Sequence, residues 1–383
     1  MAAAALSTAA ILFFTLREGG NATLSGWSFY LTAGDAALAE LLQNIILFMP
    51  LGICLTLAGV RPFRVVALGG LLSFTVEFLQ QWIPGRDPSL GDIVCNTIGT
   101  ALGVLLVVAA PLWLWVSPRR SAWQARLTAT LAVLVWYGTG LLVRQFFPAL
   151  PYHIVEMPRL NYFGYYKGKV LNVAAAGRTL EVRAVAGPHP PTRTAPLIAL
   201  LAGNDERVLL LSVDGHDLTL HYDMPALHWT LEQPDLRLRG GMNPVAPGDT
   251  YTATFTASSN DDPSLCLRVN ATERCHLGYT IGDGWKLIYY PAGRPAWMLG
   301  VINTLWMVGC VIGVGFWAAR GAKGGGLLAM GLVIAGLLIV PLVTGLRPTP
   351  IYEWIGAVGG MAVGWWLGLR NNPPNRAIQL HDV

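Results

Sequence analysis

Apolar residues form long runs at both ends of the chain, whereas the middle alternates apolar and polar positions. A helix needs about 20 apolar residues to cross a bilayer. The runs therefore predict eight transmembrane helices, near residues 3–16, 38–57, 65–82, 93–116, 127–147, 295–318, 325–346 and 352–369. The first run is short, and a cleaved signal peptide is its alternative. It lacks a basic leader and a convincing small-x-small motif before Arg17, which favours a retained helix.

The segment 148–293 has the pattern of a β-domain. Strict alternation over 179–185 and 250–256, with turn residues between short apolar runs, predicts an antiparallel sandwich of roughly eight strands. The other strands are expected at 208–213, 217–222, 265–269, 274–279 and 285–290. The predicted fold class is an α-helical polytopic membrane bundle with an inserted all-β antiparallel sandwich. Three domains follow: a five-helix domain (1–147), a jelly-roll-like sandwich (148–293), and a three-helix segment with a tail (294–383).

Composition supports a membrane protein, because only 13% of residues are charged against about 25% in soluble domains. Basic residues gather in alternate connections and in the tail, and such residues mark the cytoplasmic side. Both termini are therefore expected in the cytoplasm and the sandwich outside it. The same asymmetry explains the net charge of +4, so no nucleic-acid partner is expected. The orienting residues are Arg61, Arg64, Arg119, Arg120, Arg126, Arg320, Lys323, Arg370 and Arg376.

Two of the five cysteines occupy mirrored positions on either side of a predicted turn. Cys266 and Cys275 are expected to form a disulfide across this hairpin, in an oxidising compartment. Cys54, Cys95 and Cys310 fall within predicted spans and are interpreted as small buried residues. The chain has no CxxC motif and no histidine within a span, so neither a metal nor another cofactor is expected.

Polar residues interrupt the second, third and fourth predicted spans at one depth, in the outer third of the bilayer. Charge within a span costs free energy, so these residues suggest function. The candidate ligand-binding residues are Asn44, Glu77, Gln80, Arg86, Asp92 and Asn96. Each also has a structural interpretation. Glu77 could pair with Arg86, Asp92 could be an N-cap, and the two asparagines could bond to each other.

Several motif elements occur in order in the first third of the chain. They are Asn44-x3-Phe48-x-Pro50-x-Gly52, Ser73-x3-Glu77-x2-Gln80, Pro84-Gly85-Arg86, and Asp92-x3-Asn96-x2-Gly99-x3-Gly103. This set resembles the VanZ-like family, which is named for a protein linked to teicoplanin resistance. The resemblance implies a bacterial cytoplasmic-membrane protein of the cell envelope, with a link to glycopeptide resistance, and supplies no reaction. The strand pattern of the insert is similar to that of laminin-G and concanavalin-like modules, which often bind glycans.

Three functions remain in competition, and the third, a transporter, is the least favoured. The first is recognition of a lipid-linked envelope precursor or glycan among membrane lipids, with Arg86 holding a phosphate or carboxylate bidentately. The second is an enzyme acting on a polyprenyl-phosphate or glycan substrate, with Glu77 and Asp92 as acid and base or as Mg²⁺ ligands. No nucleophile–base pair is recognisable in the sequence, which favours binding. A transporter would need polar residues deeper in the spans, whose inner halves are apolar.

A weaker pattern suggests an internal repeat. Arg86 precedes Asp92 by six residues, and Arg347 precedes Glu353 by six, with glycines following at the same offsets. Leu338 and Ala357 stand where Glu77 and Asn96 would be. We therefore expect the second hairpin to be structural, without an equivalent polar pocket.

Overall fold

The computed structural model describes residues 1–18, 27, 36–114, 116–144, 152–156, 164–176, 178–202, 207–257, 265–321 and 324–370. They fall into two compact units. Unit 1 comprises Met1–Ser117 with Trp229–Glu232, and unit 2 comprises Pro118–His228 with Gln233–Val383. The orienting residues Lys323 and Arg376 lie outside the described residues.

Unit 1 is helical. Its helices are α1 (Ala2–Thr15), α2 (Ala37–Leu57), α3 (Pro62–Gln80), α4 (Leu90–Val108) and α5 (Ala110–Leu114). The buried side chains of Ile11, Phe48 and Leu51 form an apolar core between α1 and α2. Helix α3 begins with Pro62, whose missing N–H costs nothing at a first helical turn.

Helices α2 and α4 cross with their backbones in contact. A Cβ atom placed on Gly99 would lie 2.3 Å from the carbonyl oxygen of Ile45, and one on Gly103 would lie 2.2 Å from that of Met49. Neither distance leaves room for a side chain. Glycine at these two positions therefore allows the two helices to approach closely.

The first turn of α2 is capped by a residue far along the chain. The N–H groups of Leu38 and Ala39 donate to the carbonyl oxygen of Thr230 at 3.0 and 3.2 Å. The N–H of Leu38 also lies 3.1 Å from Thr230 Oγ1. Thr230 adopts a left-handed φ of 49°, which is unfavourable for a β-branched residue. This contact satisfies two N–H groups that a helix cannot pair internally.

Unit 2 contains the remaining helices, α6 (Pro118–Leu142), α7 (Pro225–His228), α8 (Ala296–Arg320), α9 (Gly325–Thr344) and α10 (Ile351–Arg370). The eight predicted spans are thus helical over most of their described residues, and the fourth is divided into α4 and α5 at Ala109. Six described helices are long and apolar enough to cross a membrane, namely α2, α3, α4, α6, α8 and α9. Helix α1 is shorter, with 14 residues. Helix α6 belongs to unit 2, and the domain boundary after residue 147 stays a prediction.

The β-domain of unit 2 has two five-stranded sheets in its described part, with antiparallel pairing throughout. Their strand orders are β1-β4-β5-β6-β7 and β10-β9-β8-β3-β2. The strands are β1 (Tyr152–Glu156), β2 (Lys169–Ala176), β3 (Thr179–Val185), β4 (Ala195–Ala202), β5 (Arg207–Asp214), β6 (Asp217–Tyr222), β7 (Leu236–Leu238), β8 (Thr250–Ala257), β9 (Leu265–Val269) and β10 (Thr272–Leu277). Alternate residues Leu180, Val182 and Ala184 of β3 are buried, as its pattern predicts.

The strand predicted at 285–290 is wrong. A 3-10 helix, Ile281–Leu287, occupies the start of this segment. Its first turn is held by a reciprocal capping box, in which Thr280 N donates to Asp283 Oδ2 at 2.8 Å. Capping fixes a helical turn, so the short apolar run does not extend into a sheet.

The predicted disulfide is present. Cys266 on β9 is bonded to Cys275 on β10, and their Cα atoms are 4.0 Å apart. The other three cysteines are free and lie in α2, α4 and α8. The expected burial holds for Cys95, whereas Cys54 and Cys310 are partly exposed.

Candidate functional site

Unit 1 brings together the polar faces of α2, α3 and α4. Helix α3 buries Ser73, Glu77 and Gln80 on one face, as their spacing predicts. Helix α4 buries Asn96 one turn below Asp92, which is partly exposed. Asn44 of α2 is also partly exposed. The candidate residues therefore lie at one end of a three-helix cluster.

Glu77 is almost completely buried, with 2% of its surface exposed. Its Oε2 accepts a hydrogen bond from the backbone N–H of Ser89 at 3.0 Å. Ser89 is the N-cap of α4, since its hydroxyl accepts from Asp92 N at 3.0 Å. The carboxylate of Glu77 thus connects the last turn of α3 to the first turn of α4. The cap expected at Asp92 is supplied by Ser89 instead.

Asp92 and Asn44 form the link between α4 and α2. The side-chain amide of Asn44 donates to Asp92 Oδ1 in a short hydrogen bond. The carboxylates of Asp92 and Glu77 are close enough for their charges to interact. Asn44 therefore bonds to an aspartate, not to Asn96 as one structural interpretation held. The partial exposure of Asp92 leaves part of its carboxylate accessible.

Asn96 lies at the bottom of the cluster, with 1% of its surface exposed. Its Nδ2 donates to Ser73 Oγ at 2.9 Å. Its Oδ1 is buried and has no hydrogen-bond partner among the described residues. A buried acceptor without a partner costs about 1–3 kcal/mol, so this oxygen is a strong candidate for binding a donor from outside the chain.

Arg86 and Gln80 hold the end of α1. Arg86 Nε donates to the carbonyl oxygen of Arg17 at 2.9 Å, and Arg86 Nη2 donates to that of Phe14 at 2.8 Å. Gln80 Nε2 donates to the carbonyl oxygen of Thr15 at 3.0 Å. Carbonyl groups at a helix C-terminus have no partners within the helix, and these side chains supply them. Arg86 is therefore committed largely to α1, and its charge also acts on Glu77.

Further acidic residues surround the cluster. The carboxylate of Glu40, one turn before Asn44 on α2, is close enough to Asp92 and Asp87 for their charges to interact. Glu232, in the segment that caps α2, lies near Glu40. Burial and the charge of Glu40 raise the pKa of Glu232 to about 7. The surroundings of Asp92 are thus rich in carboxyl groups.

Sequence reasoning missed three of the residues that shape this site. Glu40 had a readable signal, because it is charged and lies at the polar end of an apolar run. Ser89 also had one, since Ser followed three residues later by Asp is a helix-start signature. No sequence signal pointed to Glu232, because only the fold brings this residue close to Glu40.

The arrangement suits a ligand that donates hydrogen bonds. Carboxylate and amide oxygens of Asp92 and Asn96 are acceptors, and acceptors bind hydroxyl and N–H groups. A free anion would lie among the carboxyl groups of Glu40, Glu77 and Asp92, and the guanidinium of Arg86 is bonded to α1. The site therefore favours a polar, donor-rich head group over a bare phosphate.

Residues 4–114 match the family model described as VanZ/LLP1. The N-terminal region, which includes every candidate ligand-binding residue, is therefore VanZ-like, as its motifs indicated. No curated protein and no solved structure matches the chain.

Proposed function

We propose that this VanZ-like membrane protein recognises the polar head group of a lipid-linked envelope precursor or glycan. Binding takes place at the outer face of the bacterial cytoplasmic membrane, with both termini in the cytoplasm and the β-domain outside. The head group contacts Asp92, Asn44 and Asn96, with Glu77, Gln80 and Arg86 holding the three helices and α1 around it.

The observation that carries this proposal is the buried oxygen of Asn96, which has no partner among the described residues and lies below the partly exposed carboxylate of Asp92. Polar groups within a membrane span cost free energy unless they are paired. Ser73 satisfies the amide nitrogen of Asn96 but leaves its oxygen open. A ligand that donates hydrogen bonds to this oxygen and to Asp92 offsets the free energy lost by burying an unpaired acceptor.

A lipid anchor explains how such a ligand reaches the site. Asp92 and Asn96 belong to the first two turns of a helix apolar enough to cross a membrane. On the neighbouring helix, Phe74, Phe78 and Trp82 form an exposed ladder of ring contacts. Exposed aromatic rings of this kind suit contact with acyl or prenyl chains near the membrane interface. A lipid-linked head group enters from the bilayer and places its polar part at Asp92.

Native mass spectrometry of the detergent-extracted chain tests the proposal. The wild type is expected to retain polyprenyl-linked or glycan-linked lipids. Asp92→Asn and Asn96→Leu remove acceptors and should reduce that retention. Thr97→Val, one position along α4, is the control for a polar group lost outside the cluster. Equal retention by all four proteins, or retention by none, contradicts the proposed function.

A further inference from the structure

Two helix pairs in this chain cross in the same register. In unit 2, a Cβ atom on Gly364 of α10 would lie 2.0 Å from the carbonyl oxygen of Ile312 on α8. This contact corresponds to the one between Gly103 and Met49. Gly364 is 261 residues after Gly103, and Ile312 is 263 residues after Met49.

The other close contacts obey the same two offsets. Gly99 against Ile45 corresponds to Gly360 against Val308, and Gly52 against Thr100 corresponds to Gly315 against Met361. Three independent contacts thus repeat, including one in which the glycine is on the opposite helix. The pair α8–α10 is a structural copy of the pair α2–α4, which gives the weak sequence repeat a physical basis.

The correspondence places Glu353 where Asp92 lies. Each carboxylate accepts from an asparagine on the partner helix, namely Asn44 for Asp92 and Asn303 for Glu353. Asn303 lies one helical turn nearer the start of α8 than the position that corresponds to Asn44. The side chain of Glu353 is one methylene group longer than that of Asp92. Both copies therefore hold a carboxylate and an amide at the same end of the crossing.

In the second copy, the carboxylate of Glu353 accepts its hydrogen bonds from other residues of the chain. Glu353 is completely buried, with 0% of its surface exposed. Its Oε1 accepts from the hydroxyl of Thr280, and its Oε2 accepts from the backbone N–H of Gly282 at 3.1 Å. A hydroxyl and an amide N–H thus bind one carboxylate side by side. A polar cluster does form around Glu353, but it is filled by the chain itself, and the residues that complete it come from the 3-10 segment and α8.

The 3-10 segment is built to present these two donors. A Cβ atom on Gly282 would lie 2.3 Å from Glu353 Oε1, so only glycine allows this approach. Asp283 is held by Asn303 Nδ2 at 3.0 Å and by Lys286 Nζ at 2.5 Å. Burial alone would raise the pKa of Asp283, but Lys286 and these hydrogen bonds bring it below its ordinary value.

In the first copy, the carboxylate of Asp92 is partly exposed and is hydrogen-bonded by the side chains of Asn44 and Ser89. Asn96 adds an oxygen that has no hydrogen-bond partner among the described residues, where the second copy has Ala357. We propose that α8–α10 is a self-occupied copy of the ligand site. We infer from it that the head group bound at Asp92 presents a hydroxyl beside an amide N–H, as an N-acylated amino sugar does. This inference rests on the proposed function and names its ligand class.

A sugar fits better than a peptide with a serine or threonine. The site lies in the first turns of a membrane-crossing helix, and a lipid-linked sugar is delivered there by its anchor. Its neighbouring hydroxyl and acylamino groups are fixed on one ring, so less conformational entropy is lost on binding.

The test compares two lipid-linked glycosides in nanodiscs that contain the full chain. One is a dodecyl 2-acetamido-2-deoxyglucoside, and the other is dodecyl glucoside, which carries a hydroxyl in place of the acetamido group. The acetamido glycoside is expected to bind at least about tenfold more tightly, since a hydrogen bond to a carboxylate contributes substantially. Asp92→Asn should abolish this preference, whereas Glu353→Gln, which alters the self-occupied copy, should leave it intact.

The outcomes separate the two proposals. Equal affinity for both glycosides, lost in Asp92→Asn, overturns the inference and leaves head-group recognition standing. A preference that survives in Asp92→Asn overturns it too, because the ligand then binds elsewhere. Tighter binding of a lipidated threonine–glycine peptide than of either sugar assigns the site to peptides and also overturns it. Binding of no probe, with no lipid retained by the native protein, removes both proposals. The comparison of glycosides on the wild type does not depend on any variant folding.

Discussion

The carboxylate of Glu77 accepts a hydrogen bond from the backbone N–H of Ser89, 3.0 Å away, across the turn between α3 and α4. Glu77→Ala leaves this N–H without its partner and should destabilise the protein by about 1.5–3 kcal/mol. Glu77→Gln should cost less, because its amide oxygen accepts the same bond. Thermal unfolding in detergent measures both, with Thr75→Ala, exposed on the same helix, as control. An equal loss in both variants would show that the charge, not this bond, stabilises the turn.

Arg86→Lys should not behave as a conservative substitution. The guanidinium donates to two carbonyl oxygens of α1 from two different nitrogens, and a lysine ammonium does not reproduce that planar fork. We expect looser attachment of α1, seen as faster hydrogen exchange near Phe14 and Arg17, together with weaker lipid retention. Arg64→Lys, exposed near the start of α3, is the control. Unchanged exchange at α1 with lost retention would instead mean that Arg86 contacts the ligand directly.

Glu353→Gln should affect stability without affecting ligand binding. Glu353 accepts from three donors, and glutamine turns one acceptor into an N–H₂ group that faces a donor. We expect a loss of about 1–3 kcal/mol in the free energy of unfolding. Lipid retention by the folded variant should equal that of the wild type. A loss of retention as large as that of Asp92→Asn would contradict a purely structural second copy.

The pKa of Glu232 predicts a pH-dependent stability. Its folded-state pKa of about 7 exceeds the ordinary value of 4.5, so folding favours the protonated form. Its contribution is fully present below about pH 4.5 and is lost as the pH rises through 7. Glu232→Gln has no charge to bury, so its melting temperature should match the wild type near pH 4 and exceed it near pH 8. Glu181→Gln, at an exposed position of β3, should show no such divergence, and parallel curves for Glu232→Gln would refute the assignment.

The proposed topology is testable with single cysteines in unit 2. Glu181→Cys, on an exposed position of the β-domain, should react with a membrane-impermeant maleimide in intact spheroplasts. Arg119→Cys, in a predicted cytoplasmic connection, should react only after permeabilisation. The unmodified chain, whose free cysteines lie in helices, gives the background. The reverse labelling pattern would invert the topology and exclude a site at the outer face.

The helices and most strands were predictable because burial imposes a period on the sequence. A long apolar run is favourable in a membrane only as a helix, because its backbone groups must pair with each other. The alternation of apolar and polar residues in β3 and β8 indicates strands with one buried face. The position of Glu77, Asp92 and Asn96 at one end of their helices followed from residue spacing alone. The segment at 285–290 shows the limit, because a short apolar run does not distinguish a strand from a capped turn.

Hydrogen-bond partners were harder to predict than positions. Whether Asn44 meets Asp92 or Asn96 depends on how far α2 is rotated against α4, and helical periodicity leaves that angle open. Arg86 was expected to face a ligand, but its direction depends on where α1 ends. Thr280 and Asn303, which complete the cluster at Glu353, are far from it in sequence, so no local pattern connects them.

The cap on α2 sets an order of events during synthesis. Leu38 and Thr230 are separated by 192 residues, which a ribosome adds in roughly 10–40 s at typical rates. Until then, the start of α2 has two N–H groups without their final partner, beside the carboxylates of Glu40 and Asp92. The N-terminal helices are therefore inserted first, and the cap on α2 forms late. A chain truncated before residue 229 should contain all the VanZ-like residues and still lack the cap on α2.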